Sequence, residues 1–273
     1  MALTDSLISF WELEEASGTR VDAVTASAND LTANNTPGSA AGKVGTALSC
    51  TRDVPYNSAT VEFLSRADNA SLSVGDIDFT FCCWVNHTNV TDQGDPDLQG
   101  EVYVGKWNLT GNQRAYVLTL NIVDHAPNNR FTFNVSNNGT AVTTIDHSTG
   151  PSASTWYFVV AWHDATANTI NLQINDGTAE NTAHTTGVFD NTAPFRIGCL
   201  EVVGINYYPM AGLIDQVGFW KRKLTDAERT WLYNTGSGRT YAAILAEGGG
   251  VTTEYVGPIY AQGFGKMVGR SYV

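Results

Sequence analysis

GLIDQVGFWKRKLTDAERTWLY, residues 212–233, decides how the rest of this chain is read. Leu213 to Trp220 is too rich in branched and aromatic residues for a loop. It reads as a buried strand broken by the polar pair Asp215 and Gln216. Lys221, Arg222 and Lys223 mark an exposed turn, and Thr225-Asp226-Ala227-Glu228 spells a capping box. In that motif the Thr225 hydroxyl accepts from the third helical amide while the Glu228 carboxylate accepts from the cap's own amide. Ala227, Trp231 and Leu232 follow at helical spacing, and Asn234-Thr235-Gly236 stops the helix. The prediction is one short helix at the end of a strand-rich chain.

Working outward, strand-like runs recur at short intervals. Leu7 to Leu13 opens the chain, and Gly42 to Leu48 steps into a second strand. Val61 to Leu64 and Ala70 to Leu72 lead to Asp78-Phe79-Thr80-Phe81-Cys82-Cys83-Trp84-Val85, apolar on both faces except at Thr80. Further runs cover 101–107, 115–122, 130–135, 141–145, 156–162, 169–174 and 195–200, with Asp176-Gly177 as a hairpin signal. About thirteen short strands separated by turn signals predict a sandwich or jelly roll. No repeat of 20–50 residues is present.

Several of these stretches carry a resemblance. Gly212, Ile214, Asp215, Val217, Trp220, Leu224, Thr225, Glu228, Leu232 and Tyr233 resemble the closing signature of laminin-G-like, concanavalin-A-like jelly-roll domains. The opening Trp11-Glu12-Leu13-Glu14-Glu15, the step Gly42-Lys43-Val44-Gly45-Thr46-Ala47-Leu48 and the central Asp78-Phe79-Thr80 with Trp84-Val85 are similar to that family in the same order. Ser49-Cys50-Thr51 departs from the usual Phe-Asp-Gly. The resemblance spans residues 5–240 and implies an all-β fold: a two-sheet antiparallel β-sandwich with one short C-terminal helix. The expected division is a jelly-roll domain over 1–246, then a glycine hinge and an aromatic, glycine-rich arm over 247–273.

Charge narrows the partners. The net charge is −12, and only 15% of residues are charged, against about 25% in ordinary globular proteins. Nucleic acid, which is bound through Lys and Arg clusters, is excluded by that balance. No apolar run approaches the ~20 residues of a membrane helix, so no membrane insertion is expected. Met1 to Ser6 shows no basic region before an apolar run, so the expectation is synthesis in the cytoplasm without a signal peptide. Cys82 and Cys83 are adjacent on a strand and should face opposite sides. With Cys50 and Cys199 they read either as reduced core-filling thiols or as a pool for one bridge to Cys199 from Cys50 or Cys83.

No catalytic residues are predicted. Glycosidases need two flanking carboxylates, and neither Asp76 with Asp78 nor Glu12 with Glu14 sits in a convincing setting. The resemblance implies a calcium (Ca2+) site, which would join Asp215 to the opening loop through Asp22 or Asn29; the alternative is that Asp215 caps loop amides. The loop Asp92-Gln93-Gly94-Asp95-Pro96-Asp97 has carboxylates but breaks the EF-hand pattern. Two aromatic–amide groups suit a sugar: Trp107 with Asn108, and Tyr207 and Tyr208 with Asn206. The alternative places Trp107 in the core and the tyrosines against a partner. Tyr255, Tyr260, Phe264, Met267 and Tyr272, spaced among glycines, suit an arm laid on other structural subunits or on a second copy, as a homo-oligomer; self-packing is the other option. The functional expectation is a non-catalytic structural and recognition module displayed on a larger assembly. The resemblance implies a virion surface protein, a bacteriophage head decoration or tail adhesin that grips surface glycans. A free lectin or a divergent glycoside hydrolase is the alternative.

Overall fold

The computed structural model describes residues 1–51, 60–90, 100–121, 129–202 and 205–248. The acidic loop at 92–97 and the five aromatic and methionine residues assigned to the arm lie outside them.

Strands follow one another from the N-terminus: β1 (Leu7–Trp11), β2 (Thr32–Asn34), β3 (Gly38–Ala41), β4 (Thr46–Cys50), β5 (Phe63–Arg66) and β6 (Phe79–His87). Next come β7 (Gly100–Asn108), β8 (Gln113–Asn121), β9 (Arg130–Ser136), β10 (Val142–Asp146), β11 (Trp156–Asp164) and β12 (Thr169–Ile174). The chain closes with β13 (Glu180–Ala183), β14 (Phe195–Ile197), β15 (Leu200–Val202), β16 (Ile205–Tyr207), β17 (Gly212–Trp220), α1 (Asp226–Tyr233) and α2 (Tyr241–Gly248). One sheet has the order β13-β12-β11-β6-β17-β4-β3, with β1 also on β17; the other runs β10-β9-β8-β7-β14-β5-β2, with β15 and β16 attached beside β7. The sheets are antiparallel and stack as the expected sandwich.

Alternation along β6 explains the two layers. Phe79, Phe81, Cys83 and Val85 point between the sheets and meet Tyr116, Phe133, Phe195 and Phe219. Phe81 and Phe219 stack with ring centroids 4.3 Å apart; such pairs contribute about 0.5–1.5 kcal/mol beyond area burial. Cys82 and Trp84 point the other way, into a second apolar cluster with Leu3, Phe10, Trp162, Trp220, Leu232 and Ile244. The two adjacent cysteines therefore do face opposite sides. All four cysteines are free and buried, and burial raises each thiol above its ordinary range.

The second cluster lies under the helices. At the start of α1 the Thr225 hydroxyl accepts from the Glu228 amide and the Glu228 carboxylate accepts from the Thr225 amide, as the sequence predicts. Asn234 and Thr235 then adopt left-handed backbone before Gly236. Tyr233 stacks on Trp84 at 5.7 Å. The sequence reading has no counterpart for α2, which docks Tyr241 on Phe10 at 5.9 Å and buries Ile244. The helix thus takes Glu247 and Gly248, the first two residues of the segment expected as hinge and arm. Two other differences are local. The run 195–200 is not one strand, because Gly198 at φ +96° breaks it into β14 and β15. Ala70–Leu72 is a 3-10 turn capped by the Asn69 side chain.

Candidate functional site

The helices cover the outer face of the eight-stranded sheet, and among the described residues no helix covers the outer face of the nine-stranded sheet. Register builds the open face. Val117 of β8 pairs with Asn134 of β9, which pairs with Thr144 of β10. One step along, Val102, Thr119, Thr132 and Asp146 form the next row, and Gly100 pairs with Asn121 beyond it. At the other end Trp107 lies opposite Arg114. Strand side chains alternate, and the register shifts between Val102 and Val104 and between Lys106 and Trp107 reset that alternation, so these residues share the face turned away from the Phe-rich core. All of them except Val102 and Asp146 line a cleft of about 630 Å³, within the 300–1,000 Å³ range of small-molecule sites.

The β15–β16 hairpin supplies one wall. Leu200 pairs with Tyr207, Glu201 lies beside Asn108 of β7, and the Val102 amide donates to the Tyr208 carbonyl at 3.0 Å. Trp107, Val102, Val117 and Leu200 form a small apolar cluster with Tyr207 and Tyr208 packed against it. The two sugar-binding candidates, separated by about a hundred residues of sequence, therefore meet at one place. Trp107 and Tyr208 both line the cleft. Trp107 is only 8% exposed, so it is a wall and not a free-standing platform. The amides expected to accompany the rings are spent elsewhere. Asn108 Oδ1 accepts from the Thr110 amide at 2.8 Å, and Asn206 Oδ1 accepts from Arg196 at 2.8 Å.

Other polar groups take their place. The Thr144 hydroxyl donates to Asn134 Oδ1 at 2.6 Å, which leaves the Asn134 amide nitrogen for a ligand. Thr119 and Asn121 make no side-chain hydrogen bond among the described residues. Thr132 is held by Asp146 at 2.5 Å. Arg114 donates to the Thr140 carbonyl at 2.9 Å and is the one charged residue among the described residues lining the cleft. The sequence reading missed this floor. Its signal is present as alternate polar residues in three successive strands: Thr119 and Asn121, Thr132 and Asn134, and Thr144. Which face they shared, and that it lay uncovered, depends on where the helices dock.

The residues proposed for calcium do not assemble into one donor set. Asp22 accepts from the amides of Phe10, Val24 and Asn29 at 3.0–3.1 Å. Asn29 donates to Ser9 and Ser71, both at 2.9 Å. Those two residues fasten the opening loop to each other. Asp215 faces a different turn, where its Oδ2 accepts from the amides of Lys43 at 2.7 Å and Val44 at 2.9 Å. Among the described residues no three His, Cys, Asp or Glu side chains are grouped as metal ligands. Asp215 instead explains the Gly42–Gly45 step: a side chain on Gly42 would put its Cβ 2.7 Å from Asp215 Oδ2, and Gly45 (φ +64°) is pressed against the Glu14 carboxylate. Burial pushes the Asp215 carboxyl up to about 7, with Glu14's charge adding to it and the two loop amides opposing. Its Oδ1 is buried with no hydrogen-bond partner among the described residues. The acids weighed for catalysis serve loops as well: Asp78 accepts from the Ala165 amide, Glu12 from the Tyr241 amide, and Glu14 from Thr46.

A jelly-roll sandwich with one outer face closed and the other opened into a cleft of neutral polar groups and aromatic walls is the architecture of a lectin-like domain. A family model for the concanavalin A-like lectin/glucanases superfamily, of the laminin-G type, matches residues 63–228, and the chain belongs to that superfamily. Its fold is similar to the binding domain of Paraclostridial Mosquitocidal Protein 1, at 14% identity and a TM-score of 0.66 over 86% of this chain and 53% of that one. It is also similar to the binding domain of botulinum neurotoxin DC, solved with rat synaptotagmin II, at 12% identity and 0.60 over 85% and 52%. The chain spans about half the length of these toxin domains. It covers 97% of domain 4 of the GH43 extracellular arabinanase AbnA from Geobacillus stearothermophilus, solved with arabinotriose, at 15% identity and 0.58 over 82% of this chain. No curated protein matches the sequence.

Proposed function

We propose that this chain is a non-catalytic recognition module that binds a glycan on the open face of its nine-stranded sheet. The observation that carries the reading is the cleft itself. The domain covers one sheet with two helices and leaves the other with Thr119, Asn121 and Asn134 pointing outward between aromatic walls. Threonine hydroxyls and asparagine amides match the hydroxyl pattern of a sugar, and the apolar wall takes its C–H face. Glycoside hydrolysis asks for two carboxylates across the bond, and the described lining residues include none. Two similar structures, an arabinanase domain in complex with arabinotriose and a botulinum neurotoxin type C whose cell entry depends on interaction with two ganglioside molecules, support sugar as the ligand class. A glycan array probed with the full chain, Tyr208→Ala and Asn134→Ala tests it. Specific binding by the wild type that both variants lose is expected; binding that survives both moves the site elsewhere.

The wider setting belongs to the same proposal. Residues 249–273 would serve as an arm that holds the module on a larger assembly, with a virion surface as the place of display. The support is the sequence alone: aromatic residues at 255, 260, 264 and 272 spaced among glycines beyond the last helix.

A further inference from the structure

We infer that the cleft reads a carboxylate-bearing sugar, with Arg114 as the residue that selects it. The inference rests on the glycan reading above and adds the charge of the ligand. The chain carries 27 acidic against 15 basic side chains, and Arg114 is the one charged side chain among the described residues that line the cleft. Arg196, Arg222 and Arg229 are each engaged by an acid, Glu201, Glu228 and Asp226 respectively. Among the described residues Arg114 has one hydrogen bond and no ion pair. Its single hydrogen bond, to the Thr140 carbonyl, fixes one guanidinium nitrogen and leaves the rest of the fork unused. The nearest carboxylate in the floor's register rows, Asp146, lies beyond Thr132 and accepts that hydroxyl.

Placement gives the ligand its orientation. Arg114 stands across from Trp107 at the aromatic end of the cleft, while Thr119 and Asn121 continue along the same strand toward the other end. An acidic sugar unit at the Trp107 end would present its carboxylate to the guanidinium, and further units of an oligosaccharide, following the strand for roughly 20 Å, would present hydroxyls to Asn134, Thr119 and Asn121. A planar fork matches a carboxylate with two parallel hydrogen bonds, which an ammonium or an amide cannot do. The positive charge also offsets, locally, the repulsion that a chain of this net charge imposes on an anion.

Paired probes isolate the charge. Oligogalacturonate against its methyl ester, and sialyllactose against its methyl ester, differ only at the carboxylate; the first pair places the acid within a chain and the second at a terminus. With the full chain, at least one acid should bind about tenfold or more tighter than its neutral partner, as a charge-assisted hydrogen bond implies. Arg114→Gln should bring the affinity for the acid down to that for its neutral partner. Arg114→Lys, which keeps the charge and loses the fork, should retain part of it. Equal binding of acid and neutral sugar overturns the inference and leaves the glycan reading standing, as does a preference that survives in Arg114→Gln. No binding of any of the four overturns both.

Discussion

Replacing Asp215 with asparagine should remove a pH dependence that the wild type carries in its closing strand. Asp215 is fully buried, and burial raises its carboxyl from an ordinary value of 3.8 to about 7. The unfolded chain gives up this proton near pH 4 while the folded protein holds it to about 7. Between those limits the folded state binds more protons, so stability falls as pH rises. At about 1.4 kcal/mol per pH unit, the wild type should lose on the order of 4 kcal/mol between pH 4 and pH 7 from this group, and no more above it. Asparagine keeps an oxygen for the Lys43 and Val44 amides and has nothing to ionise. Urea unfolding of both proteins at pH 4, 6 and 8 reads the difference. The two should be close at pH 4, with the variant ahead by a few kcal/mol at pH 8. A difference that stays flat across this range would refute the assignment of a buried, proton-holding carboxyl.

Three further outcomes are expected. His87 Nδ1 meets Glu101 at 2.7 Å and the Tyr103 hydroxyl meets His87 Nε2 at 3.0 Å, all fully buried and joining β6 of one sheet to β7 of the other. His87→Leu takes the imidazole from a buried carboxylate and should cost about 3–5 kcal/mol in urea unfolding; a loss below about 1 kcal/mol would mean the network holds nothing together. Because Asp22 and Asn29 are spent on amides and hydroxyls, a chelator should leave Tm unchanged, and a calcium-dependent rise of several degrees would show that the loops regroup around an ion. Light scattering of the full chain and of residues 1–248, cut after α2 so that Ile244 stays docked, checks the arm: the full chain should associate and the shorter one run as a monomer. Identical monomeric profiles would contradict it.

The sequence makes the fold legible because sandwich strands must satisfy alternation, and alternation is visible. The Phe79–Val85 run shows both of its faces to be buried, and Thr225-Asp226-Ala227-Glu228 fixes the start of α1 through chemistry local to four residues. Even the interruption at Asp215 and Gln216 is readable: Gln216 adopts φ +49° and the β17–β6 register slips between Asp215 and Gly218. What escapes is the consequence of docking. Nothing local in Tyr241-Ala-Ala-Ile-Leu-Ala-Glu-Gly states that Ile244 will close one sheet face, so nothing states which face remains open. The aromatic candidates are found because Trp and Tyr stand out in a loop-like setting. The floor is not, because Thr119, Asn121 and Asn134 look like ordinary outward residues until the fold shows what they are outward toward. The calcium set follows from a shared family pattern, and the sequence does not show that Asp22 and Asp215 each accept from a different loop's amides.

The most direct test of the account is where a sugar touches the protein. In solution NMR the side-chain amide signals of Asn121 and Asn134 can be followed as an array-selected oligosaccharide is titrated into the full chain. The account predicts that these two shift together with the Trp107 indole signal and saturate with one affinity, while the Trp220 indole under the helices stays still. Shifts concentrated away from the β7–β10 face, with Asn121 and Asn134 unmoved at saturation, would contradict it.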